Sequence, residues 1–303
     1  MAISIFPVTP DFMAEISDVD LSKPLSDADR ADIQAAFIHY SVLVFPGQDL
    51  TSDQHVEFAK VFGPMEQNIN TYADEVKKFR IDARIADVSN LGDENEILTK
   101  DSRKRMSGLA NRLWHTDSIF RQVPALTSLL YARAIAPVGG RTEFADMRAA
   151  YDALPDITKK CIDKLVVEHS IFHSRAKIGF NNFTERERAS LPPATQLMVR
   201  TIPETGRKNL YIASHAMRVL GMSDAQSEEL FDELTQHATQ PQFVLSHRWR
   251  VGDLVMWDNR CTMHRGTDFD DLRYKRDMAR ATVSDIGNTV ELSLNAAQRS
   301  AKY

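Results

Sequence analysis

Trp114-His115-Thr116-Asp117, answered far along the chain by Trp257-Asp258-Asn259-Arg260-Cys261-Thr262-Met263-His264, sets two imidazoles and one carboxylate apart from the rest of the sequence. In an extended chain the side chains of residues i and i+2 point to one face. His115 and Asp117 can therefore grip one ion together if this stretch is a strand, and a distant His264 would complete the set. Two histidines and one carboxylate on one side of an ion, with the opposite positions open, suit non-heme Fe(II) that must also receive oxygen and a substrate. A lone His-x-Asp says little, because nine histidines among 42 acidic residues produce such pairs by chance.

Two neighbouring features add weight. Gly139-Gly140-Arg141-Thr142 follows the first motif at a distance from which a returning strand could bring a hydroxyl beside the metal. Arg276 and Arg280 lie shortly after His264, and a spacing of four, a multiple of the strand period, puts them on one face. Arginine in an otherwise apolar strand needs a partner, and a dicarboxylate cosubstrate suits its planar fork.

Around these motifs the strand candidates are Ser41–Phe45, Leu126–Tyr131, Asn209–Ile212, Phe243–Leu245, Asp253–Trp257 and Ala279–Val283, read from β-branched and aromatic alternation. Helices announce themselves by caps. Ser26 precedes an amphipathic run, Thr51 with Gln54 and Ser223 with Gln226 have capping-box spacing, and helices are expected near 52–62 and 224–238, the first ended by a left-handed Gly63. Strands concentrated after residue 110, with helical material before and between them, imply an α+β chain: an antiparallel β core with helical insertions. The stretch from 66 to 110 is charged and weakly periodic, as expected of a lid or substrate loop.

With 303 residues the chain can form one large domain. A net charge of −5 gives no general attraction for nucleic acid or an anionic membrane, so neither is an expected partner. Two cysteines make no disulfide framework, and there is no basic leader or long apolar run, which leads to the expectation of a cytoplasmic protein.

His115-x-Asp117, Gly140-x-Thr142, Trp257-Asp258-Asn259-Arg260, His264 and Arg276-x-x-x-Arg280-Ala-Thr together resemble the Fe(II)/2-oxoglutarate-dependent dioxygenases of the taurine dioxygenase superfamily. The likeness runs from Asp18-Val-Asp-Leu-Ser-Lys-Pro to about Asp285. Asn111-Arg-Leu-Trp-His, the run from Thr142 to Pro155, His237-Ala-Thr-Gln and Gly252-Asp-Leu-Val-Met-Trp look most like the 2,4-dichlorophenoxyacetate (aryloxyalkanoate) branch.

The resemblance implies a double-stranded β-helix, or jelly roll, and a homo-oligomer. It implies Fe(II) held by His115, Asp117 and His264 as the catalytic centre. The distal carboxylate of 2-oxoglutarate would be held by Arg280 and Thr142, with Arg276 as a second orienting arginine. Dioxygen is the other cosubstrate, and the small-molecule partner is an aromatic or aryloxy carboxylate. Asn68, Thr71, Asn111 and His215 fall at substrate-lining positions; taurine-cleaving members carry His and Tyr where this chain has Asn68 and Thr71. Trp114 and Trp257 are expected to pack beside the metal and keep it dry.

The basic run from Lys100 to Arg105 reads as a solvated face that could steer an anion, and the remaining histidines read as structural or exposed. Three rival readings stay open at this point: the same chemistry on an alkyl sulfonate or sulfate ester, a zinc hydrolase with the same ligands, and a binding protein without turnover.

Overall fold

The computed structural model describes residues 3–67 and 79–300. Its largest sheet runs in the order β1 (Ser4–Pro7), β2 (Met13–Ser17), β3 (Val42–Phe45), β13 (Leu254–Asp258), β5 (Ala125–Ala134), β15 (Asp277–Ser284) and β4 (Ala86–Asp87). Every pairing in it is antiparallel except β2 with β3. A smaller sheet holds β12 (Val244–His247), β6 (Thr142–Asp146) and β14 (Thr262–Gly266). Phe144 of β6 packs among Leu130, Val255 and Trp257 of the larger sheet, so the two sheets face each other as the walls of a jelly roll.

Each outer face is covered by helices. Helices α1 (Asp27–Tyr40) and α2 (Ser52–Ala59) lay Ile33, Phe37 and Phe58 on Leu43, Phe45 and Met256. Segment α3 (Arg103–Gly108) lies near the mouth of the barrel. Behind the smaller sheet stand α4 (Met147–Asp152), α5 (Asp156–Ile162) and α8 (Asp224–Ala238), where Met147, Phe231 and Leu234 meet Ala145 and Met263. An insertion adds β7 (Val166–His169), α6 (Ile171–Ala176), α7 (Glu185–Ser190), β8 (Ala194–Leu197), β9 (Val199–Thr201), β10 (Lys208–Leu210) and β11 (Ala216–Val219); α9 (Thr289–Ser300) follows β15. No helix among the described residues is long and apolar enough to cross a membrane.

The caps form where the sequence places them. Ser26 accepts from the backbone N–H of Asp29, and Thr51/Gln54 and Ser223/Gln226 are complete capping boxes. Thr184 with Glu187 is a further box that opens α7. Gly63 does follow the first of the expected helices, but at φ 145°, outside the left-handed helical well. A Cβ there would stand 3.0 Å from Val283 Cγ1, so close packing as well as dihedral freedom asks for glycine.

His115-x-Asp117 is not a strand. His115 makes one isolated bridge to His264, and the chain turns at Asp117, with Ser118 at φ 55°. Strands β6 (Thr142-Glu-Phe-Ala-Asp146) and β14 (Thr262-Met-His-Arg-Gly266) were absent from the sequence expectation; they are five residues each and carry charged residues and few β-branched or aromatic ones, so strand propensity does not mark them.

Candidate active site

The turn joining the two sheets sets one side of the site. Asp258 accepts from the Arg260 backbone N–H at 2.9 Å and grips its guanidinium, which also bonds Glu204 at 2.8 Å. That pairing locks the Asp258–Cys261 corner and turns Asn259 inward. Asn259 Oδ1 accepts from the Asp117 backbone N–H at 3.2 Å and from Trp257 Nε1 at 2.9 Å, while its Nδ2 donates to Ser128 Oγ at 3.0 Å. Ser128 in turn donates to Asp117 Oδ2 at 2.8 Å. One buried network therefore aims the carboxylate before any ligand arrives, and nothing in the sequence pattern marked Ser128 or Asn259 for this role.

The two histidines are set by backbone pairing. His115 and His264 exchange N–H···O=C bonds of 2.9 and 2.8 Å, which brings their rings to 4.2 Å between centroids. His115 Nδ1–H donates to Leu113 O at 2.8 Å, leaving the Nε2 lone pair directed at the carboxylate. His115 Nε2 lies 3.9 Å from Asp117 Oδ1 and His264 Nε2 lies 3.7 Å from Asp117 Oδ2. One donor atom from each of the three residues lies within 4.8 Å of the others, and His264 Nδ1 is buried without a partner among the described residues.

Burial holds both imidazoles below their ordinary pKa and therefore neutral. Burial works against ionising Asp117, but the Arg280 guanidinium, both rings and the Ser128 hydroxyl outweigh it and hold the carboxyl at about 2. Neutral imidazoles and an ionised carboxylate are the protonation states a divalent metal requires, so the donor set fits Fe(II).

His115, His264, Thr142, Arg276, Arg280 and Asn111 line one cavity of about 170 Å³. The two arginines part company inside it. Arg280 Nη1 is in close contact with Asp117 Oδ1. Arg276 precedes β15 and lies against Gly140, whose Cβ, if it had one, would stand 3.4 Å from Arg276 Cδ. Among the described residues Arg276 has no ion-pair partner, and burial draws its guanidinium down to about 10. Its backbone N–H is fixed by Asn90 Oδ1 at 2.8 Å.

Thr142 opens β6 and accepts from Trp249 Nε1 at 3.0 Å, so its hydroxyl proton remains free to donate to an anion. Gly139 and Gly140 adopt φ of 76° and 62° on the approach to Thr142; a Cβ on Gly139 would stand 2.2 Å from Asp268 O.

Trp257 is buried and 4.6 Å from the His264 ring, as expected. Trp114 does not pack on the His115–Asp117–His264 cluster as expected: it packs on the core behind the smaller sheet, under the Arg265 guanidinium. The basic run is not a free face, since Arg103 bonds Glu187, Lys104 bonds Asp87 and Arg105 bonds Asp271. From the expected lid, residues 87–90 and Lys104, Arg105, Gly108 and Leu109 line the cavity, joined by Asn111 and Arg112 just beyond that stretch. His215 stands edge-on to His115 at 6.2 Å, and Asn68 and Thr71 lie outside the described residues.

Residues 4–282 match the family described as "Taurine catabolism dioxygenase TauD, TfdA family". The chain belongs to this family. It is 41% identical over 285 residues to an alpha-ketoglutarate-dependent 2,4-dichlorophenoxyacetate dioxygenase of Cupriavidus pinatubonensis, covering 94% of this chain and 99% of that protein. Identity to the enzyme of the same description from a Burkholderia species is 40%, over 97% of both chains. The crystal structure of AAD-2 in complex with Mn(II) and N-oxalylglycine superposes with a TM-score of 0.87 at 45% identity, covering 95% of this chain and 99% of that one. An alpha-ketoglutarate-dependent sulfate ester dioxygenase of Pseudomonas putida stands further off, at 29% identity over 88% of this chain and 85% of that protein.

Proposed function

We propose that this Fe(II)/2-oxoglutarate-dependent dioxygenase hydroxylates the carbon next to the ether oxygen of an aryloxyalkanoate such as 2,4-dichlorophenoxyacetate. The hydroxylated product is a hemiacetal that collapses to a phenol and glyoxylate, while 2-oxoglutarate gives succinate and CO2. No hydrolytic residue is needed for that collapse.

The observation that carries the reading is a two-histidine, one-carboxylate donor set whose histidines share a cavity with a separate cation, Arg276, that has no ion-pair partner among the described residues. His115, Asp117 and His264 would hold Fe(II), which when bound activates dioxygen beside the substrate. The far carboxylate of 2-oxoglutarate is assigned to Arg276 and Thr142. This revises the expectation that gave it to Arg280, because Arg276 is the arginine next to Gly140 and Arg280 already faces the Asp117 carboxylate. Arg280 balances the charge at the metal and keeps Asp117 ionised. Trp257 and Phe144 pack on the His264 ring and exclude water from that side.

On the substrate side, Asn111 lines the cavity and His215 is a neutral hydrogen-bonding group, since burial and the nearby Arg175 charge hold it well below its ordinary pKa. A zinc hydrolase would have no use for Arg276 and Thr142. The greater distance of the sulfate-ester relatives favours the aryloxyalkanoate over a sulfonate or sulfate ester.

The test is replacement of the donors. His115→Ala and Asp117→Ala are expected to abolish iron-dependent succinate formation and lower Fe(II) affinity while the far-ultraviolet circular dichroism stays native. Near-normal turnover in either variant would refute the ligand set.

A further inference from the structure

The hydroxyl assigned to the cosubstrate already has a partner behind it. Thr142 lies mid-sheet, paired with His247 of β12 on one side and with Gly266 of β14 on the other, so both ladders fix its backbone. It is buried and lines the cavity. Trp249 Nε1 donates to Thr142 Oγ1 at 3.0 Å, and among the described residues this is the only hydrogen bond the hydroxyl makes. Trp249 does not line the cavity itself; it is buried in the core with Phe12, Leu130 and Phe144.

The direction of that bond decides what Thr142 can do. An indole N–H only donates, whereas a hydroxyl has one proton and two lone pairs. An oxygen that accepts from the indole must send its own proton elsewhere, and the donation it receives polarises its O–H into a stronger donor. The Arg276 guanidinium, against Gly140 in the same cavity, also has nothing but N–H groups to offer. Both groups assigned to the far end of the cosubstrate are then donors, which suits a carboxylate and gives nothing to a methyl group.

The indole is held in turn. His247 meets its ring edge to face at 4.8 Å and 90°. Asp253, fully buried just before β13, accepts on Oδ2 from His247 Nε2 at 3.1 Å and from the Arg250 backbone N–H at 2.9 Å. Its own backbone N–H donates to Arg250 O at 3.1 Å. One carboxylate therefore clamps the chain on both sides of Trp249, and the N–H so fixed is spent on Thr142.

We propose that Trp249 is a positioning residue for the cosubstrate: by occupying the acceptor side of Thr142 Oγ1 it makes the hydroxyl an obligate donor to the far carboxylate of 2-oxoglutarate. It thereby sharpens selection of that dicarboxylate over a 2-oxo acid of the same length without the second charge. This rests on the functional reading above and adds to it a residue outside the cavity.

The experiment is anaerobic calorimetric titration of Fe(II)-loaded protein with 2-oxoglutarate and separately with 2-oxopentanoate, which keeps the chain length and the 2-oxo acid end but lacks the far carboxylate. Trp249→Phe keeps an aromatic ring in the core and removes the N–H. It is expected to weaken 2-oxoglutarate by about tenfold, the scale of one hydrogen bond to a charged group, and 2-oxopentanoate by less than about twofold. Made in Thr142→Ala protein, the same substitution should change 2-oxoglutarate binding by less than about twofold, because the hydroxyl it acts through is gone.

A tryptophan that only fills the core would weaken both 2-oxo acids alike, or cost as much in the Thr142→Ala background as alone. Either result, or unchanged 2-oxoglutarate binding in Trp249→Phe, overturns the proposal. If Trp249→Phe does not fold, benzothienylalanine at position 249 replaces the N–H by sulfur within the same ring shape and is put through the same comparison. Wild-type protein that binds Fe(II) but not 2-oxoglutarate overturns the functional reading itself; wild-type binding with an effect of Trp249 that ignores Thr142 overturns only Trp249.

Discussion

Replacing Arg276 by glutamine separates the two arginines that the sequence presents as a pair. The guanidinium has no carboxylate partner among the described residues, lies against Gly140 and is carried on a backbone pinned by Asn90. Glutamine loses the charge and the second N–H of the fork, and it is too short to reach the same place. Two charge-assisted hydrogen bonds at ~1.5 kcal/mol each come to ~3 kcal/mol, or a loss of about 150-fold in affinity for 2-oxoglutarate. Fe(II) affinity without 2-oxoglutarate should change by less than about twofold, because the groups that act on Asp117 are Arg280, His264, His115 and Ser128, not Arg276.

Stability should not fall with this substitution, since it removes a buried charge that no protein group compensates. Anaerobic calorimetry with Fe(II) alone and then with 2-oxoglutarate reads both quantities. Unchanged 2-oxoglutarate affinity in Arg276→Gln, with the whole loss appearing in Arg280→Gln, would refute the assignment.

Other outcomes follow from the same geometry. Asn259→Ala strips bonds from Asp117, Trp257 and Ser128 at once, and is expected to cost ~3 kcal/mol in chemical denaturation and to weaken Fe(II) binding by at least about tenfold. Asn111→Ala should change the order of preference among aryloxy acids more than it changes succinate formed per substrate consumed; equal effects on every acid would count against Asn111 as a substrate contact.

Burial lowers the His55 imidazole from 6.5 to about 4, with its Nε2–H donating to Leu129 O. The unfolded chain then takes up a proton that the folded chain refuses. Its contribution is complete above pH 6.5 and is lost as pH falls through the window to about 4, by up to ~3 kcal/mol. Urea midpoints measured between pH 7 and 4 should fall less steeply in His55→Gln than in the wild type.

How much of this was legible in the sequence depends on whether a signal was local. Caps at Ser26, Thr51 and Ser223 are local hydrogen-bond patterns and were readable as such. That His115, Asp117 and His264 come together was legible because three residue types at a recognisable spacing suit one chemistry, although the strand geometry first invoked for His115 and Asp117 proved to be a single bridge followed by a turn. Ser128 and Asn259 were not legible, because a serine and an asparagine on separate elements acquire a role only when β5 and the Asp258 corner meet.

The two arginines show the same limit. A spacing of four put both on the cavity, but only the packing of Gly140 against Arg276 and of Arg280 against Asp117 tells them apart. Trp114 misled because adjacency in sequence to His115 is not adjacency in space: along this extended stretch the neighbouring side chain points the other way, into the core behind the smaller sheet.

The most direct test of the account is stoichiometric. Anaerobically purified protein is supplied with Fe(II), ascorbate, 2-oxoglutarate and oxygen, with and without 2,4-dichlorophenoxyacetate, and succinate and phenol are measured in the same tube. Succinate and 2,4-dichlorophenol rising together in near-equal amounts, both dependent on iron, is the predicted result. Iron-bound, folded protein that forms neither product would contradict the dioxygenase reading, and succinate that rises with the acid but without phenol would contradict the aryloxyalkanoate.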